Sequence, residues 1–137
     1  MSNEMINCRN IQWFPGHMAK TLRLIEANIK NVDVVLQLLD ARIPLSSLNP
    51  ELQRLTASKP RLYVLNKADL ADPNLTRAWM DYFHEAGAGC VAISSKQQGS
   101  AGQVRSAIEA ELKDLIKKRA VKGMSGARIR VMIVGIP

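Results

Sequence analysis

A short polar motif, Asn66-Lys67-Ala68-Asp69, follows the apolar run at residues 61–65 and contains the residue types that recognise a guanine base. Guanine presents two adjacent hydrogen-bond donors, and the carboxylate of Asp69 can accept both of them in a strong charge-assisted pair. Adenine lacks this pair of donors and would leave a desolvated carboxylate unmatched. Asn66 can tie the loop together and contact the other edge of the guanine, and the aliphatic stem of Lys67 can cover the base. The motif therefore predicts a guanine-binding loop.

A second motif, Ser94-Ser95-Lys96, follows the next apolar run at residues 90–93. Its backbone can offer an N–H group to the guanine carbonyl, while Lys96 lies over the opposite side of the base. Because ligands of parallel sheets bind at the carboxyl ends of the strands, we expect both motifs to belong to one site. The alternative is that Asn66 and Asp69 only cap a turn and a helix, as such residues often do.

The chain ends in Val134-Gly135-Ile136-Pro137, which matches only the opening of a phosphate-binding loop, G-x-x-x-x-G-K-[ST]. Taken alone, it is no more specific than a strand followed by a turn. In guanine-nucleotide-binding proteins this loop normally precedes the base-reading motifs. The reversed order predicts a circularly permuted protein that is truncated before its phosphate loop, with no metal ligand in this chain.

Apolar runs alternate with amphipathic segments along the chain, which predicts an α/β fold with a parallel sheet flanked by helices. Strands are predicted at residues 34–39, 61–65, 90–93 and 129–134, with the last strand beside the first and the others following in order. Helices are predicted from His17, Asn49, Asp72 and Ser100. The Asp72 helix is expected to turn five residues toward the core: Leu75, Trp79, Tyr82, Phe83 and Ala86.

The net charge of +7 is concentrated between residues 113 and 130. Such a block favours a polyanion, and RNA is the expected partner. The alternative is a solvated helix face. Few aromatic residues accompany the charges, so base-specific reading is not indicated. The predicted RNA contacts are Lys113, Lys117, Lys118, Arg119, Lys122, Arg128 and Arg130.

The composition, with 137 residues of which 47% are hydrophobic, fits one folded domain. No apolar run approaches the roughly 20 residues that span a bilayer. Residues 1–10 contain no apolar signal-peptide core, so we expect a cytoplasmic protein whose first 11 residues form a flexible leader. Cys8 and Cys90 predict neither a disulfide framework nor a zinc site, and Cys90 is expected to be a small buried hydrophobe.

Several segments together resemble ribosome biogenesis GTPase A, the YlqF/RbgA family of circularly permuted GTPases. They are W-F-P-G-H-M-A-K at residues 13–20, D-A-R-I-P at residues 40–44, and the N-K-A-D, S-S-K and G-I-P motifs. The resemblance implies that residues 12–137 form the N-terminal part of a GTPase domain, without its phosphate loop, switch regions or C-terminal domain. Ser95 departs from the commoner alanine of the family, a change that should preserve the backbone contact.

The same resemblance implies that the intact protein binds and hydrolyses GTP with magnesium, as a monomer acting in late maturation of the large ribosomal subunit. This chain alone is expected to be inactive. His17 would assist the attack of water, although a histidine at a helix start is more often a surface or capping residue. Asp40 and Arg42 are interpreted as fixing a loop. The implied GTP contacts are Asn66, Lys67, Ala68, Asp69, Ser94, Ser95, Lys96, Gly135, Ile136 and Pro137.

The alternative function is a non-enzymatic RNA- or ribosome-binding module on a decayed nucleotide-binding fold. The basic block and the incomplete phosphate loop support it. A pure binder would lose affinity steeply with salt and would ignore GTP.

Overall fold

The sheet of this protein has four parallel strands, seen in a computed structural model that describes residues 16–124, 126 and 128–135, with side chains from Ala19 onward. The strands are β1 (Val34–Asp40), β2 (Arg61–Asn66), β3 (Gly89–Ala92) and β4 (Val131–Gly135). Their order in the sheet is β3-β2-β1-β4. The predicted order is therefore confirmed. The leader predicted at residues 1–11 lies outside the described residues.

Helices connect the strands and cover both faces of the sheet. They are α1 (Gly16–Asn28), α2 (Pro50–Leu55), α3 (Pro73–Glu85), α4 (Ser100–Glu111) and α5 (Lys113–Val121), with short 3-10 turns at Ile29–Asn31 and Ala68–Leu70. One face of the sheet packs against α1, α2 and α3, and the other packs against α4. Burial on both faces explains why the strands read as continuous apolar runs.

Two helices begin where the sequence predicts, because their first turns are capped by side chains. The Asn49 Oδ1 accepts the Glu51 N–H at 2.9 Å. The Asp72 Oδ1 accepts the N–H groups of Asn74 and Leu75 at 2.8 and 3.3 Å. Each of the two helices also has proline at its first position, where a missing N–H costs nothing.

The long helix predicted from Ser100 is divided at Leu112, so the prediction of one helix is wrong. Leu112 has φ −100° and ψ 17°, and its side chain is buried at 2% exposure. None of the residues of α5 is buried. We attribute the break to this packing, because Leu112 is held in the core whereas the helix that follows it has no buried side chain.

The core-facing side of α3 differs from the predicted one. Leu75 and Tyr82 are 62% and 51% exposed, and Ala86 is exposed as well. Phe83 is buried and stacks on Tyr63 of β2, with ring centroids 4.3 Å apart. The five predicted residues span an arc of about 100°, which is as wide as the stripe that a helix normally buries. The buried residues of α3 are Thr76 and Phe83, so the stripe that packs on the sheet is rotated about the helix axis from the predicted side.

The Asp33 junction, which comprises Asp33, Arg119 and Arg130, joins three segments at the amino ends of β1 and β4. The Asp33 carboxylate accepts a hydrogen bond from Arg119 Nη2 at 2.6 Å and one from the Arg130 N–H at 2.8 Å. Its side chain is only 8% exposed. Burial raises the pKa of Asp33, but the bonds from Arg130 and Arg119 outweigh that effect, so the pKa lies below its ordinary value.

We expect Asp33→Asn to lower the free energy of unfolding by about 2 kcal/mol at pH 7, because it removes hydrogen bonds made by a charged group. A lowered folded-state pKa gives stability that is complete above the ordinary carboxyl pKa. That stability is lost as the pH falls through the lower, folded-state value. Urea denaturation of both proteins should show that the difference between their free energies of unfolding is largest at pH 7 and decreases as the pH is lowered in steps below 4.

The matched control for this change is Glu109→Gln, which breaks the exposed pair with Arg105. Exposed pairs of this kind contribute about 0.5 kcal/mol or less, so Glu109→Gln should behave like the wild type. Equal stability of Asp33→Asn and the wild type at pH 7 would show that the junction contributes nothing.

Candidate nucleotide-binding site

The two predicted base-reading loops lie side by side at the carboxyl ends of β2 and β3. The Asn66 Oδ1 accepts the Ser95 N–H at 3.1 Å, and the Ala68 N–H donates to the Ile93 carbonyl at 3.0 Å. Residues 29 positions apart in the chain are thereby joined. The Asn66 side chain therefore joins its own loop to the loop of Ser95, a wider role than the sequence predicts for it.

Within this pair of loops, Asp69, Ser95 and Lys96 are exposed, whereas Ser94 is buried at 8% exposure. The Ser94 carbonyl accepts the hydroxyl of Ser100, which begins α4. The same hydroxyl also donates to the Gln97 carbonyl at 2.8 Å. Ser94 is thus an internal anchor of its loop, and the surface available to a ligand comes from Asp69, Ser95 and Lys96.

Lys67 has an unusual backbone, with φ 61° and ψ 34° in the left-handed region. It is the only residue other than glycine with positive φ in the part of the chain that the structure describes. For a residue with a Cβ this conformation costs roughly 1–2 kcal/mol. Strain of this kind concentrates at functional sites, where the surrounding structure enforces it.

Asp40 ends β1 beside the first predicted base-reading loop. Its carboxylate accepts three hydrogen bonds from Arg42: the N–H at 2.9 Å, Nε at 3.0 Å and Nη2 at 2.7 Å. The side-chain hydrogen bond from Arg42 lowers the pKa of Asp40 to about 2. The sequence predicts that this pair fixes a loop, but it does not reveal the contact of Asp40 with Lys67, whose Nζ lies 3.9 Å from Asp40 Oδ2.

Gly135 brings the start of the predicted phosphate loop against β1. It pairs with Leu38 and has φ 123°, and a Cβ on it would collide with the Leu38 carbonyl oxygen. Only glycine fits such a close approach of two backbones. The other two predicted residues of this segment, Ile136 and Pro137, lie outside the described residues. His17 lies in α1, but its side chain is also outside them.

A separate groove of about 460 Å³ lies away from these loops. Its lining includes Pro60 and Arg61 at the amino end of β2 and Ala88 just before β3, with Tyr63 and Tyr82 between them. The predicted base-reading residues do not line it. The groove is therefore a feature of the opposite end of these strands and not part of the candidate site.

Cys90 is a buried residue of β3. Burial raises the pKa of its thiol to about 12. The thiol is therefore protonated at neutral pH, and only a thiolate would act as a nucleophile. This environment agrees with the prediction that Cys90 is a small buried hydrophobe.

The described part of the chain contains neither a metal-binding cluster of side chains nor a membrane-spanning helix. Within it, no group of three or more His, Cys, Asp or Glu side chains is placed to hold a metal ion. The helices described are also too short or too polar to cross a membrane.

Six of the seven predicted RNA contacts have exposed side chains, and the seventh, Arg119, is largely covered. Arg119 is 20% exposed and belongs to the Asp33 junction, so it can bind a polyanion only by breaking that contact. Arg130 also lies near Asp33, with Nε at 3.9 Å, but its side chain is 60% exposed. The other predicted RNA contacts are exposed as well: Lys113, Lys117, Lys118, Lys122 and Arg128.

Known proteins similar to this chain include curated ribosome biogenesis factors. The chain is 45% identical over 127 residues to ribosome biogenesis GTPase A from Bacillus cereus, across 93% of the chain and 43% of that protein. It is 44% identical to the Bacillus licheniformis protein of the same name, across 93% of the chain and 45% of that protein. A mouse protein, mitochondrial ribosome-associated GTPase 1, is 56% identical over 61 residues, across 44% of the chain and 19% of that protein.

Solved structures of YlqF resemble the fold. GNP-bound YlqF from T. maritima superposes with a TM-score of 0.56 at 24% identity, across 86% of this chain and 42% of that one. GDP-bound YlqF gives a TM-score of 0.53 at 23% identity, across 83% of this chain and 42% of that one. At these identities the likeness shows the fold, an α/β P-loop-like arrangement in circularly permuted order.

No protein-family model matches the chain. The chain spans less than half the length of the Bacillus relatives that it matches. Within that span, the sequence identity and the order of the strands lead to the same assignment. The chain is a homologue of the N-terminal part of ribosome biogenesis GTPase A.

Proposed function

We propose that the intact protein is a GTPase that binds GTP and GDP and acts in late maturation of the large ribosomal subunit. The observation that carries this proposal is the hydrogen bond from the Ser95 N–H to Asn66, which unites two guanine-reading loops beside the exposed Asp69. The names of the Bacillus and mouse relatives support the assembly role. In this proposal residues 12–137 are the N-terminal part of the GTPase domain, and the chain alone is inactive.

The exposed groups of the site fit a guanine base. In this proposal the Asp69 carboxylate accepts both guanine donors. The aliphatic stems of Lys67 and Lys96 cover the two faces of the base. The Ser95 N–H already donates to Asn66. The guanine carbonyl therefore pairs either with the Lys96 N–H or with Ser95 after exchange of that bond. Asn66 is assigned the other edge of the base in addition to its bond with Ser95, and Ala68 and Ser94 complete the two proposed GTP-binding loops.

The phosphates are assigned to the segment that begins at Gly135, with Ile136 and Pro137 as its next residues. Gly135 ends β4 beside β1, which puts this segment near the base-reading loops in the sheet. Magnesium belongs to the proposal for the intact protein, because it would neutralise charge on the phosphates. No described residue is assigned to hold it.

Asp69→Asn should weaken GDP binding by about 100-fold, because two hydrogen bonds to a charged acceptor are lost or replaced by a mismatched amide. The same change should favour xanthosine diphosphate, whose ring offers a carbonyl to the new amide donor. Equilibrium titration of the full-length protein with both nucleotides measures this exchange of preference.

The control for this change is Asp81→Asn, the same substitution at an exposed position of α3. It should leave both affinities at the wild-type level. Unchanged preference for guanine in Asp69→Asn would remove Asp69 from the base-reading site.

His17 is proposed as the residue that assists water attack, supported by its place in the W-F-P-G-H-M-A-K segment. Replacement of a positioned acid-base group typically costs 10²–10⁴ in the chemical step. His17→Ala should therefore reduce single-turnover GTP hydrolysis by about 100-fold. GTP affinity should stay the same, since the residue is assigned no ground-state contact. A normal hydrolysis rate would show that His17 has no such role.

We further propose that the exposed basic residues bind ribosomal RNA, at a site separate from the nucleotide loops. The supporting observation is the exposure of six of the seven predicted contacts, the exception being Arg119, whose side chain is 20% exposed. This surface also supports the alternative function, a module that binds RNA without using GTP. We also propose that the intact protein is located in the cytoplasm and is a monomer, as expected for a bacterial-type assembly factor.

Replacing Lys117, Lys118 and Lys122 together by glutamine should weaken binding to large-subunit RNA. Each lost phosphate contact lowers the slope of log affinity against log salt by about 0.7–0.9, so the slope should fall by about 2. Filter binding over a range of salt concentrations, with GTP or GDP present, measures the slope and its dependence on nucleotide.

The control is Arg105→Gln, which removes an exposed cation of α4 outside the basic block. Its slope should equal that of the wild type. An unchanged slope in the triple variant would exclude this surface as the RNA site. Affinity that ignores the nucleotide would favour the alternative function.

A further inference from the structure

The end of β1 lies between the two halves of the proposed nucleotide site. Asp40, its last residue, stands opposite Asn66 in the β1–β2 register, and the Ala41 N–H donates to the Asn66 carbonyl at 2.8 Å. On its other side, β1 pairs with β4, which ends at Gly135. A nucleotide that reaches from the base-reading loops to the end of β4 must therefore pass over the end of β1.

The carboxylate of Asp40 is held in one orientation. Arg42 donates to both of its oxygens through Nε and Nη2, at 3.0 and 2.7 Å. Behind it, the Asp40 N–H donates to Ser47 Oγ at 3.1 Å, and that hydroxyl donates to the Pro44 carbonyl at 2.9 Å. The side chain of Asp40 is only 12% exposed. This charge is therefore fixed in position and poorly screened by solvent.

The ammonium group of Lys67 is the second cation beside this carboxylate, at 3.9 Å from Oδ2. Lys67 is 41% exposed, and a lysine free in solvent loses considerable rotamer entropy when it becomes ordered. The left-handed backbone of Lys67 fixes the direction of its Cα–Cβ bond, and the Asp40 charge restricts the position of its Nζ. Ordering before the ligand arrives improves affinity, because less entropy is lost on binding.

We propose that Asp40 is a positioning residue of the nucleotide site, which holds the Lys67 side chain in the orientation that covers the guanine base. This inference rests on the proposed function, since it concerns the same loops. Arg42 serves to fix Asp40 and is not assigned a contact with the nucleotide. The role is distinct from loop anchoring alone, because it acts through the charge of Lys67.

The test is a double-mutant cycle in the full-length protein, with GDP affinity measured by titration in the presence of magnesium. The variants are Asp40→Asn, Lys67→Met and the two combined. Methionine keeps an unbranched stem over the base and removes only the charge. Asp40→Asn should weaken GDP binding about three- to tenfold in the wild-type background, in the range of a partly buried ion pair. In the Lys67→Met background it should have no effect.

An equal loss in both backgrounds would overturn the proposal and mark Asp40 as a loop anchor only. If Asp40→Asn does not fold, Asp40→Glu takes its place, because it keeps the charge but moves it; its smaller loss should also vanish in Lys67→Met. The control Glu109→Gln breaks an ion pair of α4 and should bind GDP normally. Absence of GDP binding by the wild type would contradict the proposed function itself, whereas normal binding without coupling contradicts this inference alone.

Discussion

The backbone hydrogen bonds that join β1 to β2 and β4, and β2 to β3, determine where the loops of the candidate site lie. The β1–β2 register places Asp40 opposite Asn66, and the β1–β4 register places Leu38 opposite Gly135. Parallel strands present all their carboxyl ends at one edge of the sheet. The proposed base-reading loop, the carboxylate of Asp40 and the start of the proposed phosphate segment therefore share this edge, although they are far apart in the chain.

The strands and their order could be predicted because the strands of a parallel sheet buried on both faces are continuous apolar segments of the sequence. Each strand is an apolar run, and the crossover rule then allows few arrangements. The helix starts at Asn49 and Asp72 could also be predicted, since the capping residue and the proline that follows it lie next to each other in the sequence. The sequence predicted that Asn66 ties its own loop together, but not that its side chain bonds to Ser95 of the second loop.

Features that depend on distant residues or on backbone strain could not be predicted. The contact of Arg119 with Asp33 joins positions 86 residues apart, so the sequence suggested only that Arg119 belonged to a basic block. The left-handed backbone of Lys67 has no signature in a residue type that usually avoids it. The exposure of Leu75 and Tyr82 follows from the angle at which α3 meets the sheet, and helical periodicity does not reveal that angle.

The pairing of β4 with β1 has a consequence for the way the chain is assembled. β1, β2 and β3 follow one another through short crossovers, whereas Asp33 and Arg130, at the β1–β4 contact, are 97 residues apart. Closure of a long loop carries a larger entropic cost than closure of a short one, and β4 is synthesised after β1, β2 and β3. The half of the sheet that carries the proposed base-reading loops can thus form on the nascent chain first, and it presents the free edge of β1 as the template on which β4 is added.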